Sequence, residues 1–113
     1  MTNTAQLSDE RKAIESPFMG DYWKLRKQYG EPEDRNEYWA ELVENREGRK
    51  QGVIYEIAEK YNNDSYVECI LLAFVDDLEA RQGKWEPGRL TLSFVNELRR
   101  RRGLPKVGVI KNE

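Results

Sequence analysis

The sequence predicts an all-α protein, a small bundle of three to four helices with loose termini. Three observations lead there. Apolar residues recur at helical spacing in several windows. Most windows open on a start signal, and glycine, proline or an asparagine turn closes them. The only stretch that reads as extended, Val107 to Ile110, is too short to build a sheet. At 113 residues, with 38% hydrophobic and 35% charged side chains, the chain has room for one domain with a small core. The expected ordered core covers about residues 16–103, and residues 1–7 and 106–113 read as tails.

The first helix is expected to open at Ser16-Pro17, serine as N-cap and proline in the first turn, with a weaker helical turn from Ser8 to Ile14. Phe18, Tyr22, Leu25 and Tyr29 form one apolar stripe, and Gly30 and Pro32 end it. Asp34-Arg35-Asn36-Glu37 resembles a capping box for the second helix. Its inner set, Tyr38, Trp39, Leu42 and Val43, is nearly in phase with Val53, Ile54, Ile57, Ala58 and Tyr61, offset by about 50° on a ~100° wheel. That favours one long helix over residues 35–61. Gly48 and Gly52 offer a break as the alternative.

Asn62-Asn63-Asp64 reads as a turn. Ser65 to Glu68 reads as a capping box for a helix over residues 65–82. Val67, Ile70, Leu71, Phe74 and Leu78 form its main stripe, and Cys69, Leu72 and Val75 widen it, so this is the expected central element. After a Gly/Pro loop at residues 83–88, the last helix runs over about residues 90–102, with Thr91, Phe94, Val95 and Leu98 inward. Gly103-Leu104-Pro105 stops it.

Composition bounds the chemistry. The formal net charge is −2, there is no histidine and there is one cysteine. This excludes a globally basic chain, a disulfide framework and a multi-cysteine zinc site. It also removes the commonest general base. No serine has a histidine partner, and no phosphate-cradling glycine loop is present. The expectation is a non-enzymatic protein with no cofactor and no metal. The N-terminus lacks a basic start and an apolar block, and the longest apolar run, Cys69 to Val75, falls far short of the roughly twenty residues that span a bilayer. The expected setting is cytoplasmic, with no membrane partner.

Acidic pairs at i,i+3, such as Glu41 and Glu44 or Asp76 and Glu79, have the spacing by which all-helical, magnesium-dependent nucleotide pyrophosphohydrolases hold their ion. On the wheel, however, Glu41 and Glu44 lie roughly 130° and 170° from the inner face. Asp76 lies opposite its own stripe. Such carboxylates point to solvent on separate faces, so this enzyme class is the least favoured alternative.

Charge is unevenly distributed. Residues 1–80 hold 10 basic and 18 acidic side chains, net −8, whereas residues 81–113 hold 9 and 3, net +6. Arg99, Arg100, Arg101 and Arg102 dominate the basic end, with Lys84, Arg89 and Lys106 beside them. At ~100° per residue, four consecutive arginines form a collar, not one groove-reading face. The collar complements the helix dipole. It suits an acidic partner protein or the acidic half of a second copy. A nucleic-acid-binding regulator using the same residues is the alternative. Trp85, in the Gly/Pro loop, is a candidate hot spot or a lid on the bundle.

The pattern Asp21-Tyr22-Trp23, Glu37 through Leu42, Tyr61-Asn62-Asn63 and Leu71 through Glu79 resembles small helical proteins carried by prophages and mobile elements of Gram-positive gut bacteria. The likeness covers roughly residues 20–80. It implies a helical fold and a mobile-element setting. No activity or site residue comes with it, and the arginine run lies outside it.

Overall fold

The computed structural model describes residues 7–46, 48–83 and 88–108. All secondary structure among them is helical. The five helices are α1 (Asp9–Tyr29), α2 (Asn36–Val43), α3 (Val53–Lys60), α4 (Ser65–Gln82) and α5 (Arg89–Arg101), so the all-α class holds with more elements than the three to four expected.

Helix α1 begins well before Ser16-Pro17. Ser8 is its N-cap and accepts a bond from the Arg11 amide, with Asp9 and Glu10 in the first turn. Pro17 lies inside the helix, where its missing N–H removes one backbone bond. Two contacts hold the turns ahead of it. Ile14 packs against the core one turn before the fully buried Phe18. The Arg11 guanidinium forks onto Asp64 at 2.6 and 3.0 Å. These long-range anchors outweigh the local signal that placed the start at Ser16.

The long helix expected over residues 35–61 is two helices. The chain reverses between them, and the Gly52 amide donates to the Glu44 carbonyl at 2.7 Å. Gly52 is buried, and a Cβ there would lie 2.4 Å from the Leu42 carbonyl oxygen. Helix α3 thus packs back on α2, and the in-phase apolar sets meet across the reversal. Helix α2 has Arg35 at its N-cap with no side-chain cap bond, so the expected capping box does not form.

Asn62 and Asn63 adopt left-handed φ values of 56° and 55°, as the turn requires. The cap of α4 is Asp64, one residue ahead of the expected Ser65. It accepts from the Tyr66 and Val67 amides. Helix α4 packs on α3 and α5 and buries Val67, Leu71, Phe74, Val75 and Leu78. It is not buried all round: Cys69, expected within the apolar girdle, is exposed, as is Ala73. Aromatic rings join α1 to the rest, with Phe18 edge-on to Tyr61 at 5.6 Å and Tyr22 edge-on to Phe74 at 5.9 Å. Trp23 is on the outer face, 58% exposed.

Helix α5 buries Phe94 and Leu98, and Phe94 meets the Tyr55 ring at 5.1 Å. Its end is a glycine stop. Leu104 N donates to the Arg99 carbonyl and Gly103 N to that of Arg100, with Gly103 at φ 73°. The chain then folds back along α5, where the Asn96 side chain pairs with both backbone groups of Val107. This pins residues 107–108, which the sequence places in a loose tail. No helix among the described residues is long and apolar enough to cross a membrane.

Candidate functional site

The basic end is organised by three carboxylates that the helical wheel does not distinguish. Glu68, Glu79 and Glu97 are all buried, so the expectation that acids look outward fails for them. Burial of a carboxylate requires partners, and each has them. Glu79 accepts from the Leu90 amide at 2.6 Å and from the Thr91 hydroxyl at 3.2 Å, supplying the N-terminal cap that Gly88 lacks. Glu97 receives Arg100 and Arg101. Glu68 receives Arg102 and the Asn63 side-chain amide.

The four arginines splay around the end of α5, and Arg100 and Arg101 share Glu97. Arg101 is more enclosed than Arg100 or Arg102. It bonds Glu97, Glu59 and Gln51, and its guanidinium stacks over the Tyr55 ring at 4.9 Å. Arg102 bonds Glu68 and the Asn63 carbonyl. These two clamp α5 onto α3, α4 and the turn between them. Arg99 donates to the Pro105 carbonyl and so fixes the end of the chain reversal. Arg100 forks onto Glu97 but keeps 67% of its side chain exposed.

Paired guanidinium groups hold the Glu97 carboxyl down at about 2, from an ordinary 4.5. The Arg11 fork, with help from the helix amides, holds Asp64 at about 2, from 3.8. In both cases the folded value lies below the unfolded one. The ionised carboxylates therefore stabilise the fold above the unfolded pKa, and this contribution is lost as pH falls towards 2. The melting temperature is expected to decline between pH 5 and pH 2, and Glu97→Gln to flatten part of that decline. An equally steep decline in the variant would count against the assignment.

Two further arginines reach this end from the connection between α2 and α3. The Arg49 amide donates to the Arg46 carbonyl at 3.1 Å, closing a tight turn in which Gly48 takes φ 81°. Between this turn and α5 lies a cleft of about 640 Å³, lined by Asn45, Arg46, Arg49, Glu97, Arg100 and Arg101, with Gly48 and Gln51. An adjoining depression of about 670 Å³ shares Arg46 and Arg49 and adds Arg89 and Ser93 of α5. Arg46 bonds Glu44 through Nε, whereas the side chains of Arg49 and Arg89 have no partner among the described residues. No known family, curated protein or solved structure matches this chain.

The eight residues singled out from sequence therefore divide. Arg100 and Arg101 line the cleft, and Arg89 lines the depression beside it. Arg99 and Arg102 serve the fold. Lys106 is exposed and lines neither depression. Lys84 and Trp85 lie outside the described residues. Sequence reasoning missed Arg46 and Arg49, because a long helix would have scattered them over its solvent face. Gly48 between them was the available signal. Among the described residues, no group of three or more cysteine, aspartate or glutamate side chains is placed to hold a metal ion. Glu41 and Asp76 are exposed, and Glu44 is engaged by Arg46. Among the described residues, this surface presents guanidinium N–H groups in excess of their carboxylate partners, a donor chemistry that suits an anion.

Proposed function

We propose that this chain is a non-enzymatic interaction protein whose basic end docks on an acidic segment of a partner protein, in a cytoplasmic, mobile-element setting. The observation that carries the reading is the gathering of Arg46, Arg49, Arg89 and Arg100 around two adjoining depressions, with Arg49 and Arg89 unpaired among the described residues. A short acidic peptide senses charge only within a Debye length, about 8–10 Å at physiological salt. A long nucleic acid would also meet the acidic body of a chain whose net charge is −2. Three of the four collar arginines are moreover paired with buried carboxylates, Arg100 while keeping most of its side chain exposed. Neither the reading nor its chemistry requires a cofactor.

A labelled, glutamate-rich peptide and a duplex oligonucleotide of equal charge separate the partners. The peptide is expected to bind at low salt, and Arg49→Glu with Arg89→Glu to weaken it by about tenfold or more. Tighter binding of the duplex, with a steep salt slope, would replace this reading by the nucleic-acid one.

A further inference from the structure

We propose that the cleft lined by Arg46 and Arg49 on one side and Arg100 and Arg101 of α5 on the other is a binding site for the phosphoryl group of a small polar ligand. The inference rests on the basic end being an anion-docking surface and names what its cleft selects. Its volume, about 640 Å³, falls in the range of small-molecule sites. Its lining, unlike theirs, holds no aliphatic or aromatic side chain. A hydrophobic compound gains little there.

The donors decide the ligand. Arg101 spends Nε and both terminal nitrogens on Glu97, Glu59 and Gln51. Arg100 gives Nε and one terminal nitrogen to Glu97, leaving the other. Arg46 gives only Nε to Glu44, leaving both terminal nitrogens. Among the described residues, nothing engages the fork of Arg49. Guanidinium donors thus approach the cleft from the turn on one side and the helix on the other. A carboxylate offers two oxygens in one plane, whereas a phosphoryl group offers three acceptors in a tetrahedral array and can be bonded from both sides at once. Occupancy would neutralise Arg49, which also borders the neighbouring depression, so a bound phosphoryl ligand antagonises docking of an acidic partner.

Calorimetric titration of the full chain at fixed ionic strength tests this with pyrophosphate, orthophosphate and malonate, a dicarboxylate comparator. Pyrophosphate is expected to bind about tenfold or more tightly than malonate and to raise the melting temperature. Arg49→Gln, a substitution on an exposed side chain that leaves the fold intact, is expected to weaken pyrophosphate about tenfold. Arg26→Gln, on α1 beside a different depression, is expected to leave it unchanged. Absence of pyrophosphate binding while the acidic peptide still binds would overturn this inference and leave the docking reading in place. Failure of both ligands would overturn both. Equal binding by wild type and Arg49→Gln, or equal affinity for malonate, would also overturn the phosphoryl site.

Discussion

Glu79→Ala is expected to destabilise the fold by about 2–4 kcal/mol and to release α5 before the rest of the chain. Helix α5 starts at a glycine that has no side chain with which to cap it. Its first amides are instead satisfied across the helix interface by Glu79, which is 2% exposed. Loss of an N-cap costs about 0.5–2 kcal/mol, and each hydrogen bond to a charged group contributes about 1.5–3. Alanine also leaves a void where the carboxylate sat, next to amides that water reaches poorly. For a domain of this size, 1 kcal/mol moves the melting temperature by roughly 4–8 °C. A fall of about 10–20 °C is therefore expected. Hydrogen exchange should show protection lost first at Phe94 and Leu98. Glu79→Gln retains one acceptor oxygen and the shape, so it is expected to lose about half as much. A Glu79→Ala protein that melts within a few degrees of wild type would mean that α5 is capped by other means.

The interaction that makes Glu79 important could not be read from its neighbours in sequence. It sits at i+3 from Asp76 in the acidic stretch Asp76-Asp77-Leu78-Glu79 that follows the apolar run, which reads as a solvated edge. Its partners lie 11 and 12 residues away, in the first turn of the next helix. The same holds for Glu68, whose arginine is 34 residues distant. The helices α4 and α5 were legible because their stripes and their stops, Gly83 and Gly103, are local. The start of α1 was not, because the Arg11–Asp64 fork that holds it spans 53 residues. The arginine run was legible as charge. Which of its members turn inward depends on where α3 and α4 place their carboxylates, and that is tertiary information. The cleft was invisible for a related reason: it exists only because the connection between α2 and α3 folds back.

That fold-back makes Gly52→Ala the most instructive single-atom change in the chain. Gly52 has φ −66° and ψ 159°, ordinary values that alanine adopts freely. Backbone conformation therefore raises no objection. By the unfolded-state argument alone, the substitution would stabilise by about 0.4–1 kcal/mol. Sterics reverse the sign. The new methyl would lie 2.4 Å from the Leu42 carbonyl oxygen and 2.6 Å from the Glu44 nitrogen, both backbone atoms of the last turn of α2 and its cap. Neither can rotate aside. Relief requires α3 to move away from α2, which stretches the 2.7 Å bond from Gly52 N to the Glu44 carbonyl. Overpacking costs about 1–3 kcal/mol and a weakened backbone bond about 1 more, so a loss of about 2–4 kcal/mol is expected. Two other glycines serve as controls in the same denaturation series. Gly20, inside α1 with open space around it, should gain about 0.5–1 kcal/mol on becoming alanine. Gly48, also in open space but at φ 81°, should lose about 1 kcal/mol from backbone strain alone. Because Arg46 and Arg49 are carried by the segment that Gly52 pins, Gly52→Ala should also weaken pyrophosphate binding without touching a single donor. Full stability and full binding in that variant would show that the two helices meet with more room than the 2.4 Å approach allows.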